Sequence, residues 1–287
     1  MITFLSLGLN GRLGNQLFQY AALKSLSIKK NYTIKLPNTE NLVWHNQKCL
    51  LNKLNIKEEV INDIDMSQLQ FKFEEESFNS NFFKLPDNIS LNGYFQNINY
   101  FIDNLPLFKN LYRSNDIVIN ETTSKFQEYS KQRKHNNIIG IHIRLGDNIT
   151  IYPSKIIYEK IMMGDPYITY LKSAIDFFGK DNDYLIFCGG TRDSKTGQDN
   201  NDIKLRKEIL KNFDCNFIYS VGNDTLIDFE LMKMCDNNVL SPISSFSLWI
   251  GYLANDNKKI VVPNSYFMNT ENHIDMDSIY LKHWNRL

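Results

Sequence analysis

From Ile138 to Val262 the chain alternates short apolar runs with amphipathic segments, and nothing else in it constrains the fold as strongly. The runs Ile138–Arg144, Tyr184–Cys188, Phe217–Tyr219, Asn238–Leu240 and Lys259–Val262 read as strands. Between them Asp165–Phe178, Asp202–Lys211, Thr225–Cys235 and Ser245–Leu253 read as helices, the first opened by Pro166, and Pro263 ends the last strand. Each crossover helix must bury its apolar stripe, so strand and helix in alternation call for a parallel sheet covered on both faces. The expected class is α/β, doubly wound.

The first half follows the same grammar less regularly. Ile2–Leu7 reads as a strand, and Gly8, Gly11 and Gly14 form a hinge into a helix striped by Leu13, Leu17 and Ala21, with Phe18, Ala22 and Leu26 beside them. Glycines at a strand-to-helix turn let backbone approach a ligand closely. A short strand, Tyr32–Leu36, stops at Pro37. Residues 38–83 have no clear period. Ile89–Leu91 reads as a strand, and a helix is expected through Tyr100 to Ile102. The polar stretch Lys131–Asn137 reads as a linker, which divides the 287 residues into domains 1–133 and 134–287.

Composition then removes whole classes of function. Lysine plus arginine and aspartate plus glutamate both number 32, so the net charge is zero and nucleic acid is not the expected partner. No apolar run is long enough to span a membrane and no signal peptide opens the chain, which predicts a cytoplasmic protein and leaves peripheral membrane association open. Cys49, Cys188, Cys215 and Cys235 are scattered as reduced thiols are, and the five histidines form no metal-binding pair. Asp63-Ile64-Asp65, Asp181-Asn182-Asp183 and Asp275-Met276-Asp277 match the D-x-D of metal-dependent sugar-nucleotide enzymes, a tripeptide common by chance. The opening glycines are spaced G-x-x-G-x-x-G, and strand Tyr32–Leu36 lacks an acid for a ribose, which disfavours a nicotinamide dinucleotide.

Three clusters carry chemistry. In "IIGIHIRLGD" strand alternation turns Ile139, Ile141 and Ile143 to one face and His142 and Arg144 to the other. Both polar groups fall at the C-terminal end of their strand, where doubly wound sheets bind ligands, and Gly146 and Asp147 follow in the turn. A guanidinium there can grip phosphate oxygens in bidentate fashion. In "SPISSFSLWIGYL", Ser244, Ser245 and Ser247 stand at a helix start, where one hydroxyl caps the helix and the others with nearby N–H groups suit a diphosphate. Phe246, Trp249 and Tyr252 recur at helical spacing, as core residues do. Asp228 lies near a helix start, favourable there by charge alone, and a function for it requires a partner such as the N–H edge of guanine.

Four ordered segments resemble the family 11 glycosyltransferases, chiefly bacterial α-1,2-fucosyltransferases. "GRLGNQLFQYAALKSL" is similar to that family's opening signature and "LNGYFQNINYF" to its G-Y-F/W-Q segment. "IHIRLGD" resembles the H-x-R-R-x-D motif, and "DTLIDFELMKMCDNNVLSPISSFSLWIGYL" the closing block. Departures are Leu145 for the motif's second arginine, Ile243 for an asparagine, Leu248 for a tryptophan and "FCGGTRDS" for F-S-D-D.

The resemblance implies a GT-B-type architecture, two Rossmann-like domains facing a cleft, with an acceptor-side first domain and a GDP-sugar-binding second domain. It implies metal-independent, inverting transfer of L-fucose from GDP-fucose to a glycan hydroxyl, with no separate cofactor. Donor contacts are expected from His142, Arg144, Asp228, Ser244, Ser245 and Phe246, and from Gly11, Asn15 and Gln16 in the first domain. Arg144 is expected to stabilise the leaving diphosphate, and Asp147 is the candidate base by position. Transfer of another GDP-deoxyhexose, another linkage or acceptor, or a lapsed transferase that only binds are the alternatives.

Overall fold

The computed structural model describes residues 1–40, 43–44, 47–144, 165–189, 206–211, 213–242, 244–264 and 275–287. Contacts divide the chain into one unit of Met1–Asn115 with Asp277–Tyr280 and another of Asp116–Met276 with Leu281–Leu287.

In the first unit Ile89–Asn92 is flanked by Ile2–Thr3 and Phe71–Glu74, all parallel. A second parallel pair, Lys35–Leu36 with Glu59–Val60, is linked by a bridge from Ile2 to Ile34. The helix Leu13–Lys30 buries the expected Leu13, Leu17, Ala21 stripe, and the Tyr112 hydroxyl donates to Leu17 O at 2.6 Å. The first strand ends at Thr3 rather than Leu7. Tight turns take over there, with Leu7 N–H donating to Phe4 O, Leu9 N–H donating to Ser6 O, and Gly8 at φ 86°. The expected helix near Tyr100 is instead two 3-10 turns, Ile98–Tyr100 and Ile102–Asn104. The edge strand Phe71–Glu74 alternates apolar and polar residues over four positions only, and most of them face solvent, too short a pattern to stand out in the stretch 38–83.

In the second unit six parallel strands lie in the order Asn216–Tyr219, Asp183–Gly189, Ile138–Arg144, Asn237–Val239, Ile260–Val262, Asn285–Arg286. Counted along the chain that is 3-2-1-4-5-6, the Rossmann order. Ile139, Ile141 and Ile143 pack with Tyr167, Tyr170 and Leu171 of the helix Asp165–Phe178. The opposite face meets the helices Thr225–Met234 and Ser245–Tyr252, through contacts described below. The sequence-read strands and helices agree with these bounds to within a residue or so. The exceptions are Asp202–Lys211, whose start lies outside the described residues, and the two-residue strand Asn285–Arg286, too short to read.

The division between units falls at Asn115 and Asp116, earlier than the expected 133/134. The helix Asp116–Ser130 belongs to the second unit because its Tyr129 hydroxyl accepts from Val221 N–H and from Asn223 Nδ2. Nor is Lys131–Asn137 a loose linker. The backbone N–H groups of Lys134 and His135 donate to the buried Asp183 carboxylate at 3.0–3.1 Å, as does Asn216 Nδ2 at 2.6 Å. Burial alone would raise this carboxyl's pKa, yet the Asn216 amide and those N–H groups hold it below its ordinary value. Asp183 is therefore a structural anchor, and the D-x-D match around it is explained without a metal. Asp65 of the second match accepts from Asn62 N–H in a capping box and pairs with Lys35. No helix among the described residues is long and apolar enough to cross a membrane.

Gly140 is the narrow point of the central strand. A Cβ there would overlap Asn238 Oδ1 on the neighbouring strand and press on Cys235 Sγ at 3.1 Å. Neither neighbour can retreat, since Asn238 and Cys235 are both buried. Gly140→Ala is expected to lower stability by about 1–3 kcal/mol. Urea unfolding is the measurement, and an unchanged midpoint would refute this packing.

Candidate active site

The strands Ile138–Arg144 and Asn237–Val239 are adjacent, yet their onward connections leave toward opposite edges of the sheet. Such a switch point opens a crevice beyond the C-terminal ends of the strands. His142 and Arg144 stand on one side of it, and the turn from Ser241 to the helix Ser245–Tyr252 on the other. Arg144 N–H donates to Ser241 Oγ at 3.2 Å, which ties the two strand ends together. The Arg144 side chain is only partly buried. His142 is buried; its Nδ1 is hydrogen-bonded to Ser247 Oγ at 2.8 Å, so Nε2 is the ring nitrogen that can address a ligand. Its ring lies 5.3 Å from Phe246, which in turn stands edge-on to Phe229 at 5.4 Å. Burial first, and the Arg144 charge second, push the His142 pKa down to about 3.

The serines divide their work. Ser244 is the helix N-cap, its Oγ accepting from Ser247 N–H at 3.3 Å. Ser247 orients His142, a role the sequence left unassigned. Ser245 is half-buried in the first turn, where helical N–H groups have no intrahelical acceptor. Phe246 is also half-buried and forms the floor under His142.

Asp228 does have a partner, and it comes from the protein. Ser220 Oγ donates to Asp228 Oδ1 at 2.6 Å, and Asn223 Nδ2 reaches Ser220 Oγ at 2.7 Å and Asp228 Oδ1 at 3.3 Å. Asn223 Oδ1 is buried with no hydrogen-bond partner among the described residues. This knot closes the end of the strand Asn216–Tyr219. Ser220, Asn223 and Tyr129 escaped the sequence reading; the one available signal was the polar, glycine-containing "SVGND" directly after a strand.

In the first unit Gly11 sits at φ 94°, a conformation for glycine, and a Cβ there would run into the Asn15 side chain. Asn15 Oδ1 accepts from Gln96 Nε2 at 2.7 Å on the exposed side of this turn. Gln16 faces inward: Nε2 donates to Gly11 O at 3.2 Å and Oε1 accepts from Leu50 N–H at 3.1 Å. Almost wholly buried, it braces the glycine loop. Gln19 Nε2 donates to Asn10 O and Gly93 O, joining the glycine loop to the "GYFQ" segment. Asp147, the candidate base, and Leu145 and Ile243 lie outside the described residues. Among the described residues no three His, Cys, Asp or Glu side chains are grouped to hold a metal.

The family model for glycosyl transferase family 11 matches residues 2–287. The chain belongs to glycosyl transferase family 11. A curated relative, an alpha-1,2-colitosyltransferase of Escherichia coli, is 26% identical and the match covers 92% of each chain. Among solved structures, POFUT1 in complex with GDP-fucose superposes with a TM-score of 0.53 at 10% identity, covering 90% of this chain and 96% of that one. A substituted Arabidopsis thaliana FUT1 in complex with GDP gives 0.54 at 11% identity, covering 91% and 70%. NodZ alpha-1,6-fucosyltransferase co-crystallized with GDP gives 0.50 at 12% identity, covering 88% and 92%. The fold of this family 11 glycosyltransferase is thus the GT-B-type α/β fold.

The buried His142 has a measurable consequence. Its pKa of about 3 lies below the ordinary 6.5, so the unfolded chain binds the proton more readily than the fold does. The stability tied to neutral His142 is complete above about pH 6.5 and is lost as pH falls toward 3. Proton NMR should find the His142 ring resonances flat from pH 8 to about 5, while urea stability declines below pH 6.5. A ring that titrates near its ordinary value would overturn the buried, neutral imidazole.

Proposed function

We propose that this glycosyltransferase moves L-fucose from GDP-fucose to a glycan hydroxyl, with inversion and without a metal, forming an α-1,2 linkage to a galactoside. The observation that carries this reading is the His142–Arg144 strand end facing the Ser245–Tyr252 helix start across a Rossmann switch point. Anionic ligands suit that place, because a guanidinium and helix N–H groups converge on it. The names of the similar structures, crystallised with GDP or GDP-fucose, support the same donor class here.

Each residue then has a task. The Arg144 guanidinium takes up negative charge as the bond from sugar to diphosphate breaks, with Ser245 and the first-turn amides sharing it. His142, neutral and pinned by Ser247, offers Nε2 as a hydrogen-bonding group that adds no charge. Asp228, held by Ser220 and Asn223, lies beyond the third strand of the sheet, and the N–H edge of guanine is its proposed ligand. Phe246 lines the pocket beneath. Gly11, in the glycine loop, and Asn15, in the helix turn after it, are the proposed donor contacts of the first unit, and Asp147 accepts the acceptor's proton. The β-linked donor sugar, attacked once from the far side, leaves an α-linked product. The four free cysteines, three of them buried, suit the reducing cytoplasm as the place of action.

The colitosyltransferase relative favours a second reading, a GDP-linked sugar that lacks one hydroxyl of fucose. Leu145 in place of the motif's second arginine fits an altered donor preference. Comparing rates with the two GDP-sugars separates these readings.

Two measurements test the proposal. Calorimetry should give tighter binding of GDP than of UDP or ADP, unchanged by EDTA; equal UDP affinity, or binding only with manganese, would sink the site assignment. Arg144→Lys keeps the charge but loses the planar two-pronged grip, and should lower kcat by roughly a hundredfold to a thousandfold. Near-normal turnover in that variant would show that Arg144 is not the phosphate clamp.

A further inference from the structure

The segment Gly93-Tyr94-Phe95-Gln96 is sharply bent, with two of its residues at positive φ. Gly93 has φ 142°, and Phe95 has φ 53°, the left-handed region that a bulky side chain rarely enters. The strain is held by several bonds at once. Glu75 Oε2 accepts from Tyr94 N–H at 2.9 Å and Phe95 N–H at 2.6 Å, and Gln19 Nε2 donates to Gly93 O at 3.0 Å. The Phe95 ring is buried between Phe4 at 5.7 Å, Phe82 at 5.7 Å and Tyr100 at 5.0 Å.

Burying Phe95 in this conformation turns Tyr94 outward. Its side chain is 51% exposed, and among the described residues no hydrogen bond or ring contact engages it. A lone exposed tyrosine is ordinary. This one differs in being aimed by a strained and over-determined turn, the pattern found where strain serves a site. It also stands directly past the C-terminal end of Ile89–Asn92, the middle strand of a parallel sheet, which is the ligand edge of such sheets. Gln96, exposed beside it, donates to Asn15 in the first turn of the helix Leu13–Lys30, which the glycine loop leads into. Leu5 and Leu9 on that loop are exposed as well.

We infer that Tyr94 is the stacking platform for a pyranose ring of the acceptor glycan, with the Gln96 amide beside it for a ring hydroxyl. A pyranose has one face of C–H groups and a rim of hydroxyls. An aromatic ring matches the face and a planar amide matches the rim. The Gln96–Asn15 bond ties the platform to the helix start that carries a proposed donor contact. Glu75 is then a positioning residue, since it acts on the ligand only through the turn it holds. The inference rests on the transfer reading proposed above for the identity of its ligand.

The test uses the full chain, a panel of glycans including N-acetyllactosamine and other β-galactosides, and saturation-transfer NMR alongside GDP calorimetry. Wild type should bind at least one glycan through a single ring face. Tyr94→Ala should weaken that binding about tenfold and raise the acceptor KM to match, with the GDP dissociation constant as in wild type. Tyr94→Trp, which keeps a stacking surface, should restore glycan binding to within a few-fold. Equal glycan affinity in Tyr94→Ala, an equal loss of GDP affinity, or no glycan bound by wild type overturns the platform. Glycan binding without GDP binding overturns the transfer reading instead, and the alanine and tryptophan variants still decide the platform.

Discussion

The second unit is organised by the two faces of one strand. Ile138–Arg144 lies in the middle of the parallel sheet, so both its faces are covered and every residue must suit a different layer. On one face three isoleucines meet the helix Asp165–Phe178, and that contact supplies apolar burial. On the other, Gly140 leaves room for Asn238, and two residues on His142 meets Ser247. The face is narrow at its middle and polar at its end. A bulkier residue at 140 would press on Asn238 and Cys235.

That bond also explains why a buried imidazole is tolerated. An unpaired polar group in this position would cost about 1–3 kcal/mol, and Ser247 supplies the partner. Being neutral, His142 does not compete with Arg144 for an anion's negative charge. Arg144 is fixed by its backbone to the turn after the neighbouring strand through Ser241. A protein with no net charge can hold a diphosphate when one cation and a helix start are placed together.

The first unit braces its strand ends differently. Its strands are short, and the loops that follow them are braced by buried amides rather than by sheet. Gln16 holds the glycine loop to Leu50, and Gln19 holds it to Gly93, so the two loops behave as one piece. Glu75 does the same for the turn that carries Tyr94. Side-chain amides and carboxylates that accept or donate to backbone can hold conformations that helices and strands do not allow.

Local pattern alone established the alternating strands and helices of the second half, the apolar stripe of Leu13–Lys30, and the family through four ordered motifs. It also placed His142 and Arg144 together at a strand end, because alternation along a strand depends only on residue spacing. Other features depend on partners far apart in the chain. Gln16 braces the glycine loop because Leu50 lies against it, and Ser244 caps a helix while Ser247 bonds the histidine. The boundary moved to Asn115 because Tyr129 found Val221 and Asn223, about ninety residues away along the chain. Strand order, the crevice at the switch point and the Ser220–Asn223–Asp228 knot were likewise decided by tertiary structure. Residue spacing dictates which way a side chain points, whereas what it meets there depends on distant segments brought together by folding.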